Sequence, residues 1–360
     1  MKTILISPSR YVQGEGELGN LGSYVQPFGT KALLVAHRDD QARVQGLLEA
    51  SKKNRPFDLA AGGFGGECSL KEIERLRALS KDCDVLIGLG GGKALDTAKA
   101  VGHFEKKPVI VVPTIASTDA PCSSLAVIYS EHGVFDQYMF FPKNPDLVLV
   151  DTGVIARAPV RFLVAGMGDA LSTWFEARAC ARSNADNIPG GKSTRAALAV
   201  AELCYKTLLE DSLKAKAACE AQAVTKALEN IVEANILLSG LGFESSGLAA
   251  AHAVHNGLTA LEETHRFWHG EKVAFGTIVH LVLENAPLHE LKTVIGYCKS
   301  VGLPTCLQDL GITEVTREKM MKVAAAATAE GETIHHMPFP VTADAVYAAL
   351  LAADKLGATL

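Results

Sequence analysis

Four short apolar runs, KALLVA, DVLIGLG, PVIVVPT and PDLVLVD, alternate with helix-like stretches through the first 158 residues or so. Rich in Val, Ile and Leu, they read as buried strands, while SLKEIERLRALSKD, between two of them, carries apolar residues at helical spacing. Strands and helices that alternate in this way build a parallel sheet covered by helices. Near the end of this half, AVIYSEHGVFDQYMFF has a Gly-containing turn and reads as an appended β-hairpin. Beyond APVRFLVAG the strand signal almost vanishes. Long Ala- and Leu-rich segments, KSTRAALAVAELCYKTLLED and VTKALENIVEANILLSG among them, predict helices instead. The expected organisation is an α/β domain over 1–158 and an all-helical domain over 159–360, parting near Pro159. Ligand sites in such chains favour the carboxyl ends of the strands and the cleft between domains.

Composition narrows the function classes. With 360 residues, 48% hydrophobic, the chain can bury large cores, and its formal net charge of −5 is spread with both signs interspersed. No block of Lys and Arg suits a nucleic-acid backbone or an anionic membrane. The opening MKTILISPSR is too short in its apolar run for a signal peptide, and no segment approaches a membrane span, so a cytoplasmic protein is expected. Eight cysteines without a CxxC pair predict reduced, mostly buried thiols.

The segment LIGLGGGKALDTAKA places Gly88, Gly90, Gly91 and Gly92 between a strand and a helix. Glycines there permit tight turns and let backbone N–H groups approach an anion at the positive end of the helix dipole. The P-loop pattern fails, because Ala94 stands where Ser or Thr would hold magnesium. The dinucleotide pattern GxGxxG fails too, with Lys93 at its third glycine. The loop PTIASTDAPCSS, Pro113 to Ser124, follows the next strand and carries five hydroxyl side chains and Asp119. Two adjacent polar strand ends suggest one elongated ligand, its diphosphate at the glycines.

In the helical half, GLAAAHAVHNGL sets His252 and His255 on one helical face, His269 follows in FWHGEK, and Asp169 lies in GMGDALSTWFEA. Asp and two His are plausible ligands for a divalent metal held between helices. Trp174 and Glu176, on the Asp169 segment, read as packing and surface support.

Taken together, GGGKALDTAK, PTIASTDAPCS, GDALSTWFEARAC, GLAAAHAVHNG, HGEKVAFG and AEGETIHHMP resemble, in the same order and over nearly the whole chain, the bacterial glycerol dehydrogenases of the iron-containing alcohol dehydrogenase superfamily. The resemblance implies a Rossmann-like NAD-binding α/β domain and a helical metal-binding domain, an architecture shared with dehydroquinate synthase, with the active site in the cleft between them. By position it implies metal ligands Asp169, His252 and His269. It also implies cofactor contacts at Gly92, Lys93, Asp96, Thr114, Ser117, Ser123, Leu125 and Tyr129, beside the diphosphate seat read above at Gly90 and Gly91, and a glycerol contact at Asp119 to which His252 contributes. Thr173 stands where the iron-dependent relatives carry a further His, which favours one Zn2+ per subunit. His37 stands where these dehydrogenases usually place an Asp against the ribose of NAD, so rejection of NADP is expected to weaken unless Asp39 or Asp40 takes over. The activity implied is oxidation of glycerol or related 1,2-diols to the ketone, by a homo-oligomer, with octamers among the assemblies implied. The rival readings are a dehydroquinate synthase-like lyase and a glycerol-phosphate dehydrogenase, both of which need basic groups that the Asp119 loop and EETHRFWHGEK scarcely supply.

Overall fold

The computed structural model describes residues 2–360. The four apolar runs form the middle of a six-stranded parallel sheet. Its strands are β1 (Tyr11–Gly14), β2 (Lys31–Ala36), β3 (Asp58–Ala61), β4 (Val85–Gly90), β5 (Val109–Pro113) and β8 (Leu147–Asp151), in the order β1-β8-β5-β4-β2-β3. β4, β5 and β8 are buried along their whole length, and β2 from its second residue on. Because helices cover both faces, these strands are continuously apolar rather than alternating. Leu34, Ile87, Leu89, Ile110, Val112 and Leu149 join one apolar core on a single face of the sheet. Each such side chain contributes roughly 1.5–3 kcal/mol by leaving water.

The edge strands were not expected, and composition explains why: YVQG in β1 is half-buried throughout and DLAA in β3 largely exposed. The hairpin is present as an antiparallel pair, β6 (Leu125–Tyr129) with β7 (Phe135–Phe140), irregular at Ile128 and Tyr129. Ser69 caps the expected amphipathic helix, its hydroxyl accepting from the Glu72 N–H, and the helix runs Leu70–Leu79.

Two compact units divide the chain, and the division departs from a single cut at Pro159. One unit comprises Ile6–Val160 and Ala217–Gly240; the other comprises Arg161–Lys216, Leu241–Leu360 and the N-terminal residues up to Leu5. Sequence periodicity reports a helix but not the partner it packs on. The helix Lys226–Glu233 belongs with the sheet because Glu229 accepts from Gln13 Nε2 of β1 at 2.8 Å and from the Thr152 hydroxyl at 2.7 Å. Just beyond it a π-helical turn, Ala234–Leu238, aims Asn235 Nδ2 at the Ala116 carbonyl, 3.0 Å away. In the other unit no named strand occurs among the described residues. No helix among them is long and apolar enough to cross a membrane.

Candidate active site

Three helices of the second unit meet at Asp169, His252 and His269. Asp169 lies on the helix Val160–Ser183, His252 on Ala250–Leu258, and His269 opens His269–Leu283. Glycines beside these residues bring the helix backbones into contact. A Cβ on Gly270 would stand 1.8 Å from the Ala165 carbonyl oxygen, one on Gly168 2.4 Å from that of Gly270, and one on Gly276 2.4 Å from that of Ala251. No side chain fits at those crossings, so the neighbouring Asp169, His269 and His252 converge as a consequence of backbone packing.

One ligand-type atom from each of the three residues lies within 4.8 Å of the other two. Asp169 Oδ1 is 3.1 Å from His269 Nε2 and 3.5 Å from His252 Nε2. Those approaches lack hydrogen-bond geometry, and neither oxygen of the buried Asp169 carboxylate has a hydrogen-bond partner among the described residues. Burial pushes its pKa up, yet the facing imidazoles outweigh burial and hold it well below the usual carboxylate range. A buried carboxylate without donors is costly unless a cation meets it. The donor set, two imidazole nitrogens and a carboxylate, fits a divalent transition metal with a position left for another ligand.

Glu176, read from sequence as surface support, is fully buried instead. Its Oε2 is 2.6 Å from His252 Nδ1, while Oε1 accepts the backbone N–H of Ala249 at 2.8 Å and of His252 at 3.0 Å. The carboxylate thus holds the His252 Nδ1–H and turns Nε2 toward Asp169, as in carboxylate–histidine–metal arrangements. Burial disfavours the charged imidazole, but Glu176 and Asp169 raise the His252 pKa well above its ordinary value. The seven-residue spacing from Asp169, two turns along one helical face, was the available sequence signal. Burial, the proximity of His269 and the charge of Lys272 push His255 well below the ordinary imidazole range. Thr173 is buried one turn after Asp169, its methyl packed toward Gly242.

The strand-end residues gather in the sheet unit. Gly90, with φ +143°, ends β4, and Gly91 caps the helix Gly92–Glu105 without a side-chain acceptor, so that helix begins with backbone N–H groups free of a side-chain cap. Gly88 lets the helix lie close on the strand, since a Cβ there would be 2.7 Å from that of Ala98. Beside the turn, the Thr114 hydroxyl donates to Asp40 Oδ1 at 2.9 Å. His37 is half-exposed and caps the helix Arg38–Asn54 through Nδ1, while Asp39 is 75% exposed. Of the acidic pair, Asp40 is the one turned to the glycine turn.

Lys93 binds both oxygens of Glu67 at 2.6 Å and lies over the ring of Tyr129, whose hydroxyl burial pushes upward. Asp96 is buried and faces inward: it pairs with Lys99 at 2.8 Å and accepts the Val127 N–H at 2.9 Å. Lys99 also donates to the Ser123 hydroxyl and to the Leu125 carbonyl, so these residues clamp the hairpin to the helix. Ser117 is half-buried in the loop between β5 and β6. Asp119 accepts from the Ser239 hydroxyl at 2.6 Å. Glu67, Lys99 and Ser239 were not singled out by sequence reasoning, since isolated polar residues carry no spacing signal.

Residues 8–152 match the sequence pattern of the iron-containing alcohol dehydrogenase family. A glycerol dehydrogenase from Escherichia coli O6:H1 (strain CFT073) is 55% identical over 359 residues, 99% of this chain and 98% of its own. A glycolaldehyde reductase from Halobacterium salinarum is 49% identical over the same shares of the two chains. Among solved structures, a probable glycerol dehydrogenase from Sinorhizobium meliloti superposes with a TM-score of 0.93 at 47% identity, covering 99% of this chain and all of that one.

Proposed function

The chain belongs to the iron-containing alcohol dehydrogenase family, and from that premise we propose that it oxidises glycerol to dihydroxyacetone, using NAD as hydride acceptor and one zinc ion held by Asp169, His252 and His269. The observation that carries this reading is the buried Asp169 carboxylate, which lacks hydrogen-bond donors and faces two imidazole nitrogens. Zinc rather than iron is supported by the three-residue ligand set, with Thr173 in place of a further His. When bound, zinc supplies the Lewis acidity that eases deprotonation of the alcohol.

The protein's own groups divide the work. Gly90, Gly91 and Gly92 offer backbone N–H groups and the helix N-terminus to the dinucleotide diphosphate. Thr114, Ser117, Lys93 and Tyr129 line its path, with Lys93 kept in place by Glu67. Asp96, Ser123 and Leu125 act as the clamp behind that wall. Asp119, oriented by Ser239, accepts a hydrogen bond from a polyol hydroxyl, which favours vicinal diols over simple alcohols. Glu176 keeps His252 in the form that can bind a metal. A homo-oligomeric state belongs to the same reading.

A reductase reading with glycolaldehyde as substrate has support from the Halobacterium salinarum relative; both substrates pair a hydroxyl with the adjacent reacting carbon. The lyase reading is weakened by the engagement of nearby cations: Lys272 donates to the Phe267 carbonyl at 2.9 Å and Arg266 stacks on the Phe267 ring. The test is to follow reduced nicotinamide with glycerol, 1,2-propanediol and glycerol phosphate, and its consumption with glycolaldehyde. Turnover of glycerol above the others supports the proposal. Binding of NAD and zinc without any turnover would overturn it, leaving the lyase or a binding role without turnover.

A further inference from the structure

His269 presents Nε2 to Asp169 and turns Nδ1 the other way, to 3.0 Å from His255 Nε2. The line continues outward. His255 Nδ1 is 3.0 Å from Asn256 Oδ1, and Asn256 Nδ2 is 3.0 and 3.3 Å from the two oxygens of Glu332. His255 is buried, and its ring meets that of His269 edge to face at 4.2 Å between centroids.

Donor and acceptor inventories give this line one direction. In its carboxylate form Glu332 only accepts, so it takes the hydrogens of the Asn256 amide and turns Oδ1 toward His255. His255 then donates from Nδ1, and the imidazole tautomer that does so has its lone pair on Nε2, the atom that faces His269. That lone pair requires a hydrogen on His269 Nδ1. What remains to His269 for a metal is Nε2, which faces Asp169. An amide does not readily pass a proton along, so the line orients and does not conduct.

We propose that His255, Asn256 and Glu332 are positioning residues that lock His269 in its metal-binding tautomer, with Glu332 setting the direction of the whole line. The inference rests on the metal reading given above and extends it. His252 receives the equivalent hold directly from Glu176, whereas His269 receives it through two neutral side chains.

The test uses metal-stripped full-length protein as wild type, His255→Leu, His255→Gln and Glu332→Gln. Zinc affinity is read by competition with a chromophoric chelator, and histidine tautomers by long-range proton–nitrogen spectra of the metal-free protein. His255→Leu removes the acceptor and is expected to weaken zinc binding about 10- to 100-fold, while His255→Gln, whose amide oxygen can still accept, recovers most of the loss. Glu332→Gln removes the directional bias and is expected to give a mixture of His269 tautomers. Wild-type zinc affinity in His255→Leu, or a loss in His255→Gln as large as in His255→Leu, would overturn the proposal. A wild type that binds no zinc would instead bring down the metal reading, and the spectra would still decide the lock: a His269 that carries no hydrogen on Nδ1 in the wild type overturns it.

Discussion

Adding one methyl group at Gly270 tests how the three helices bring the cluster together. In Gly270→Ala the new Cβ would stand 1.8 Å from the Ala165 carbonyl oxygen and 2.8 Å from the Asp169 nitrogen, where real contacts stay beyond 3.0 Å. The obstacle is backbone, with no flexible side chain to swing away, so the two helices must separate by at least about 1.2 Å. His269 immediately precedes the substituted residue and moves with it. Functional constellations tolerate about 0.5 Å, and a displacement near 1 Å costs on the order of 100-fold in rate. Overpacking a tight contact costs about 1–3 kcal/mol in stability. Gly296→Ala is the control: it lies in the helix Leu288–Val301, and a methyl added there would meet nothing within 4 Å. That change is expected to stabilise by roughly 0.4–1 kcal/mol. Chelator competition, steady-state turnover and urea unfolding of the metal-free protein read all three effects. Gly270→Ala with wild-type zinc affinity and turnover would refute the account of how the cluster is assembled.

Asp169→Ala is expected to abolish turnover while nucleotide binding, followed by fluorescence titration, stays near wild type, because the triad and the glycine turn belong to different units; near-normal activity would count against the proposed chemistry. Glu176→Gln keeps the shape but forces an amide NH2 against either the His252 Nδ1–H or the two backbone N–H groups now satisfied by Oε1. It should lose about 1–3 kcal/mol of stability in urea unfolding and bind zinc roughly 10- to 100-fold more weakly; unchanged values would show that the carboxylate is not what orients His252. His37→Asp should raise the NAD-over-NADP ratio of kcat/KM about fivefold, the effect of roughly 1 kcal/mol of repulsion between a partly exposed carboxylate and a 2′-phosphate. An unchanged ratio would return that role to Asp40, which already faces the glycine turn through Thr114.

What the sequence made legible follows from what each residue touches. The central strands could be read because burial on both faces leaves an uninterrupted apolar run, whereas YVQG and DLAA, at the sheet edges, keep the mixed composition of half-exposed backbone. The helix around Glu229 could be read as a helix, but its attachment to β1 depends on long-range hydrogen bonds that leave no periodic trace. Asp169, His252 and His269 were visible as a set through residue type and family resemblance. Glu176 was not, since an isolated Glu in a helix looks solvated until its surroundings are known. Asp96 was visible only through the resemblance, as an expected cofactor contact, whereas its pairing with Lys99 and with the Val127 N–H leaves no spacing signal.

The central claim is that Asp169, His252 and His269 hold the zinc on which alcohol oxidation depends. The most direct measurement is the rate of NAD reduction with glycerol by protein stripped of metal, then reconstituted with zinc or with ferrous iron in parallel. The account predicts no turnover when stripped and full recovery with one equivalent of zinc. Undiminished turnover by verified metal-free protein, or recovery with iron alone, would contradict it.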